Sequence, residues 1–485
     1  MSENILLSRV HKVLAARQSA ISTNLLAYHG GAPYIDARLS RFPAESDTDF
    51  DGDAQSKAIG RKERAFLTNY ARRVAHKVSQ YVFAQDVSRD GADDAWTADV
   101  TKTGMSLDQF MFELVASLIV CRWCWIGIDR PQAAPGRSVA DREKSGDRVY
   151  WKLYSALDVK DWAFANGRLA WVLTEEAVYS NANPRAEAKE QRVRFLWEPG
   201  QVTRIAEKEA DQVTPFAYAG VPLIPVGLIS DAVWWFDDVE RIQRSILDKQ
   251  SALDTAIFKA VFPLLVAPAS LADQSKMEGV TTQEARRKIA IGNPIIESAE
   301  ESGITRWLQG VSGDLKFIRE EIAAASRELY EVVGLNMSVP ESRQVSSAEA
   351  KQWDHLDVGA VLANYAAVAE EAEKKAVEIS VAIGGGTFRG WTPKYSRKFD
   401  IRDFAADMQA ITQASALSLP PEAEKLMMRA AVRSIATQFG ADDKELKAAL
   451  DSVDEYDPEA EALKQVANAG FDQDAEGAGR PPRAG

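Results

Sequence analysis

Three groupings in the sequence carry residue types that could do chemistry. Cys121 and Cys124 have the spacing of a redox pair. Such a pair works where a strand meets the start of a helix, whose dipole lowers the thiol pKa. Here a helical pattern precedes the cysteines and strand composition follows, which is the reverse order. There is no second cysteine pair to complete a zinc site, so both cysteines read as core. Asp47, Asp49, Asp51 and Gly52 match the first half of a calcium-binding EF-hand loop, but its twelfth position is Ala58 where a bidentate glutamate belongs. Flanking helices keep that match open, and a solvated acidic turn is the reading the missing ligand favours. His11, His29, His76 and His355 are scattered without metal-ligand spacing. No metalloprotease, phosphate-loop, nucleophile-elbow or dinucleotide motif occurs. The glycines at 384–386 follow a helical pattern instead of opening one, so they make no phosphate cradle. The sequence gives no support for catalysis, a cofactor or a metal.

Two further groupings concern binding. Trp123, Trp125, Trp151, Trp162, Trp171 and Trp197 fall in one β-rich stretch. Exposed, they would make a stacking platform for sugars or bases; buried, they are the core of a small sheet, the favoured reading. Arg61, Lys62 and Arg64 with Arg72 and Arg73 form one basic cluster, and Arg286, Arg287 and Lys288 another. Charge runs are usually solvated faces.

The elements that must position these groups are mostly helical. With 485 residues, 46% hydrophobic and 27% charged, the chain has the balance of a globular protein with several cores. The net charge of −13 excludes binding to nucleic acid or anionic membrane through the overall field. Two cysteines in the whole chain suit a reducing compartment, and no apolar run is long enough for a membrane span. The pattern predicts helices from residues 3–17, from Arg61 through Val82, and from a capping box at Ser106 and Gln109. Residues 131–148 read as an exposed loop. Residues 149–229 read as an antiparallel sheet with turns at Asn166-Gly167 and Pro199-Gly200. An apolar stripe of Val239, Ile242, Ile246, Leu253, Ile257 and Val261 follows, stopped by Pro263. A second runs through Leu315, Ile318, Ile322, Ala325, Leu329 and Val332. A capping box at Ser346 and Glu349 opens the longest helix, roughly 35 residues or about 53 Å. The last 35 residues hold nine acidic and three basic side chains, and the end reads as disordered.

This order of elements resembles the portal protein of tailed bacteriophages. Arg64-Ala-Phe-Leu-Thr-Asn-Tyr with Arg72-Arg73, Gly220-Val-Pro-Leu-Ile-Pro-Val, and Ser346-Ser-Ala-Glu-Ala-Lys are similar to stretches of that family. The resemblance covers about residues 30–400 and rests on element order more than on any motif. It implies an α+β fold, mainly α, with wing, stem, clip and crown regions, one very long helix and a small antiparallel β-rich part. Residues 1–231 would be the wing, 232–262 and 313–334 the stem helices, and 263–312 the clip. Residues 335–345 would be the tunnel loop, 346–383 the long wing helix, 384–460 a crown-like helical region and 461–485 an acidic tail. It also implies a homo-oligomeric ring of about twelve subunits at one capsid vertex of the virion, assembled in the host cytoplasm. Double-stranded DNA would pass through it non-specifically during packaging and ejection. Arg286, Arg287 and Lys288 would meet the terminase large subunit and then the neck or adaptor proteins. Asn336, Arg343 and Gln344 would lie nearest the DNA. Major capsid and scaffolding proteins would be further partners, with no membrane and no enzymatic activity. Two other readings stay open: another helical head–neck or scaffold protein, and a cytosolic enzyme or sugar-binding protein using the Trp-rich segment.

Overall fold

The computed structural model describes residues 5–43, 45–53, 58–130, 148–180, 189–207, 209–216, 218–261, 264–268, 296–298, 306–308, 313–332, 348–384, 390–397, 399, 421–439 and 443–455. The chain divides into two units, Met1–Phe399 and Asp400–Gly485.

The first unit opens with α1 (Ile5–Ser8) and α2 (Lys12–His29). The single helix expected over residues 3–17 is broken at Arg9–His11. His11 is drawn out of it because its backbone N–H donates to the Lys160 carbonyl at 2.7 Å. Its ring stacks on Trp162 with centroids 3.9 Å apart, and its side chain caps α2 by accepting from the Val13 N–H. α3 (Gly31–Arg38) and α4 (Asp47–Asp51) follow, then the short pair β1 (Gly52–Asp53) and β2 (Ala58–Ile59). The helix expected from Arg61 is likewise split, into α5 (Arg61–Arg64) and α6 (Tyr70–Val82). Asn69 starts the second piece by accepting from the Arg72 N–H at 2.8 Å. Val74, Val78 and Val82 are buried along α6 as their spacing predicts, whereas Phe66, in the break, is 57% exposed.

After β3 (Ser88–Asp90) and α7 (Asp94–Thr97), α8 (Leu107–Cys121) begins at the capping box that Ser106 and Gln109 predict. Arg122 turns the chain at φ +75° into β4 (Trp123–Asp129). The remaining strands are β5 (Tyr150–Ser155), β6 (Val159–Ala165), β7 (Arg168–Ser180), β8 (Lys189–Glu198), β9 (Gln201–Ala206), β10 (Gln212–Pro215) and β11 (Leu223–Gly227). The one sheet expected over 149–229 is two. β6 to β10 form an antiparallel meander, while β5 and β11 leave it to flank β4. The reason is burial: residues 123–128 of β4 are buried, so the backbone N–H and C=O groups on both its edges need partners, which β5 and β11 supply. Asn166 and Gly167 both have positive φ, the conformation a two-residue hairpin requires.

The helix α9 (Phe236–Val261) leads to a small sheet in which β12 (Leu264–Pro268) pairs with β13 (Ile296–Ser298) in parallel and β14 (Arg306–Leu308) antiparallel. The chain returns in α10 (Gly313–Val332) and then enters α11 (Ala348–Gly384), a helix of 37 residues. Its buried positions Leu362, Tyr365, Ala366, Ala369, Ala372, Glu373, Ala376, Val377 and Ser380 recur every three or four residues. Four of them are alanines, which lets the helix lie close on α6, α8, β4 and β11. β15 (Thr392–Lys394) pairs with β3 and closes the unit. In the second unit, α12 (Pro421–Phe439) and α13 (Asp443–Glu455) pack on each other. Among the described residues no helix is long and apolar enough to cross a membrane.

Candidate functional site

The sequence-predicted site residues Arg286, Arg287, Lys288, Asn336, Arg343 and Gln344 lie outside the described residues. So do the loop 131–147 and the capping serine Ser346. What the structure describes are the helices that bracket those positions, α9, α10 and α11, and the body that holds them.

α9 and α10 pack side by side. Lys249 and Glu321 make an ion pair at 3.2 Å, and further along β12 and β14 pair Leu264 with Leu308. Rising numbers on one arm meet falling numbers on the other, so the two helices and their strands form a long antiparallel hairpin.

The first half of α9 is held by buried polar contacts. The Asp237 carboxylate accepts from Arg17 at 2.9 and 2.8 Å and from the Asn24 amide at 2.8 Å. One turn on, Glu240 accepts from Arg38 at 2.8 and 3.1 Å and from the Tyr34 hydroxyl at 3.2 Å. Gln243 accepts from the Ala71 N–H and donates to the Ala27 carbonyl. Asp248 accepts from the Ser40 N–H and hydroxyl. Ser251 accepts from Arg61, whose guanidinium also donates to both Glu45 oxygens at 2.7 Å and stacks over Phe42. Positions 237, 240, 244, 248 and 251 share one helix face, and Arg244 joins by donating to the Arg38 carbonyl and the Ser40 hydroxyl. A buried ion pair adds little net stability, but breaking one is costly; such a set fixes which register α9 takes. Arg61 corrects the sequence reading of its cluster as a solvated run: it is 2% exposed. The hydrogen bonds from Arg61 hold the Glu45 carboxyl below its ordinary pKa.

α11 is pinned in the same way. Glu373, fully buried, accepts from Arg89 at 2.9 Å and from the Tyr395 hydroxyl at 2.5 Å. Burial works against the Arg89 charge, and Glu373 beside it overcomes this and raises the guanidinium pKa. The Trp151 indole N–H donates to Ser380 at 2.9 Å.

The other sequence-level candidates resolve plainly. Cys121 and Cys124 are buried and unbridged. Burial pushes the Cys121 thiol up to about 12, which removes the thiolate a redox pair needs. Asp47–Asp51 is a short helix, capped by Ser46, with Asp47 and Asp51 both turned to Arg41. Asp49 accepts from the Ser46 hydroxyl instead, and no cluster of potential metal ligands occurs among the described residues. Trp123, Trp125 and Trp151 are fully buried, and Trp96 meets Trp151 edge to face at 5.0 Å. Trp162 and Trp197 are buried as well, while Trp171 is partly exposed and lies under the Arg9 guanidinium.

The sequence offers no sign of a cavity, but the described residues enclose clefts, one of which is rich in cations. A cleft of about 790 Å³ opens between α6 and α10, lined by Asn69, Arg72, Arg73, His76, Lys77 and Tyr330 among others. His76 is hydrogen-bonded to the Tyr28 hydroxyl at 2.8 Å. Burial and then Arg72 lower its pKa against the pull of Glu113, so the ring is neutral at neutral pH. The Arg72-Arg73 dipeptide was the visible signal; its partner Tyr330, far along the chain, was not.

No protein-family model matches this sequence, and no curated protein does. Among solved structures, a chain from the neck of a native gene transfer agent particle computed with C12 symmetry gives a TM-score of 0.39 at 12% identity. That match covers 82% of this chain and 98% of the other. A chain from the virion of a native gene transfer agent particle gives 0.39 at 10% identity, covering 84% and 98%. One from the neck of an empty particle computed with C6 symmetry gives 0.40 at 11%, covering 74% and 89%. Likeness this distant carries no inference about what this chain does.

Proposed function

We propose that this chain is a structural subunit of a phage-like head–neck, and within that class the portal subunit. A ring of about twelve copies would form the channel through which double-stranded DNA enters and leaves a capsid. The observation that carries the reading is the antiparallel hairpin of α9 and α10. It is joined at one end by a small sheet, anchored in the body by buried charges at the other, and followed by the 37-residue α11. That arrangement supports a reading as stem, clip, stem and wing helix in that order.

In this reading residues 263–312 are the clip, where Arg286, Arg287 and Lys288 meet terminase and then adaptor proteins. The loop 335–345 carries Asn336, Arg343 and Gln344 toward the DNA. The net charge of −13 suits a channel, because an acidic wall lets phosphates slide where a basic one would bind them. The chemistry asked of the protein is mechanical, so no catalytic group is assigned. Negative-stain images of the purified full chain test this. Top views should show a ring with a central hole, and side views a narrow end where the hairpins converge. Compact particles without a channel would overturn the portal reading.

A further inference from the structure

The cleft between α6 and α10 has a composition at odds with the rest of the chain. The protein carries 71 acidic against 58 basic residues, and most described cations near its core are matched to a carboxylate, as Arg17, Arg38, Arg61 and Arg89 are. Arg72, Arg73 and Lys77 make no ion pair among the described residues, and all three line the same cleft. Each instead lies over a tyrosine ring. Arg72 is over Tyr28 at 5.8 Å, Arg73 over Tyr70 at 5.9 Å and Lys77 over Tyr81 at 4.9 Å. Such contacts hold a cation in place without neutralising it, so its charge stays available to a ligand.

We infer that this cleft binds phosphate groups, and that its ligand is the sugar–phosphate backbone of a nucleic acid. Arginine pairs suit the bidentate geometry of a phosphate, and a lysine adds a point charge. From Arg72 to Lys77 α6 rises about 8 Å, a span over which one strand of B-form DNA presents two to three phosphates. Neutral His76 and the Tyr330 ring supply a wall beside the cations without adding a competing charge. Contacts of this kind position a duplex and carry no sequence information. The inference stands on the cleft and does not depend on the ring reading.

The test is fluorescence anisotropy of a labelled duplex of about 20 base pairs titrated with the full chain, with inorganic phosphate as a second probe by thermal shift. For three phosphate contacts, raising salt from about 50 to about 200 mM should weaken duplex binding about fortyfold. The Arg72→Gln, Arg73→Gln, Lys77→Gln triple variant should bind at least about tenfold more weakly at low salt. Its Tm should not change, because Arg72 and Arg73 are exposed and Lys77 is partly so. Should the triple variant misfold, Lys77→Gln alone should lower the salt slope by about one. Phosphate that stabilises the wild type and not the variant, with no duplex binding, would keep the phosphate site and assign it to a free anion. Duplex binding of equal strength and equal salt slope in wild type and variant, or no response to either probe, would overturn the inference.

Discussion

The two halves of α9 sit in opposite surroundings. From Asp237 to Ser251 the helix is bound on one face by carboxylates and amides that reach α2, α3, α5 and α6, and Phe236, Val239, Ile246 and Leu247 are fully buried. From Ala252 to Ile257 every side chain is partly exposed. The companion α10 is barer still: among its described residues only Ala325 and Leu329 are buried, and Phe317 is 64% exposed. One half of the hairpin is therefore specified by its own chain, while the other offers amphipathic surface that the described residues do not cover. A helix pair this long gains most of its stability from packing, and the described residues do not supply neighbours for the outer half. A ring would provide them.

The contrast can be broken first at its anchored end. Asp237→Ala leaves Arg17 buried without its carboxylate and should cost about 3–5 kcal/mol, read as a lower urea midpoint. The Arg17→Met, Asp237→Leu double variant should recover most of that loss. If the single variant is as stable as wild type, the grip does not hold the helix. Next, Ser380→Ala removes the acceptor of the Trp151 indole N–H and should cost about 1–3 kcal/mol by the same measurement.

A pH scan sharpens the comparison. Glu45 has its pKa lowered in the folded chain by Arg61, so its contribution is present above the ordinary glutamate range. That contribution is lost as pH falls through the folded value. Tm should therefore drop as pH is lowered below about 4.5, and the Arg61→Met variant should show a shallower drop across the same window. An equal drop in both would remove Glu45 from the account.

At the exposed end the expectation reverses. Phe317→Ser should change the stability of an isolated chain by no more than about 0.5 kcal/mol, yet reduce assembly, read as a shift from large to small species in gel filtration. The smallest effect is expected at Lys375 and Glu371, an exposed pair one turn apart on α11. There Glu371→Gln should cost about 0.3–0.5 kcal/mol.

Much of the local structure was legible because its causes are local. The capping box at Ser106 and Gln109 and the hairpin at Asn166-Gly167 depend on residues a few positions apart, and both formed. The apolar stripe of α9 was visible as well. What was hidden depends on distant partners. The break before α2 follows from a hydrogen bond between His11 and Lys160, and nothing near His11 announces it. Arg61 read as part of a solvated run because Glu45 and Ser251, which bury it, lie far from it in the sequence. Asp237, Glu240 and Asp248 share a face of α9 that looks solvent-facing until Arg17, Arg38 and Ser40 are placed against it. Of the candidate site, only the brackets were readable: the charges of Arg286, Arg287, Lys288 and Arg343 are in the sequence, and their positions lie outside the described residues.

The central claim is that the uncovered half of the hairpin is covered by copies of the same chain. Light scattering on the purified protein at native pH tests it directly. The account predicts a single species of about twelve times the 53.3-kDa chain mass. A monodisperse monomer or dimer, unchanged at the highest concentration reached, would contradict it.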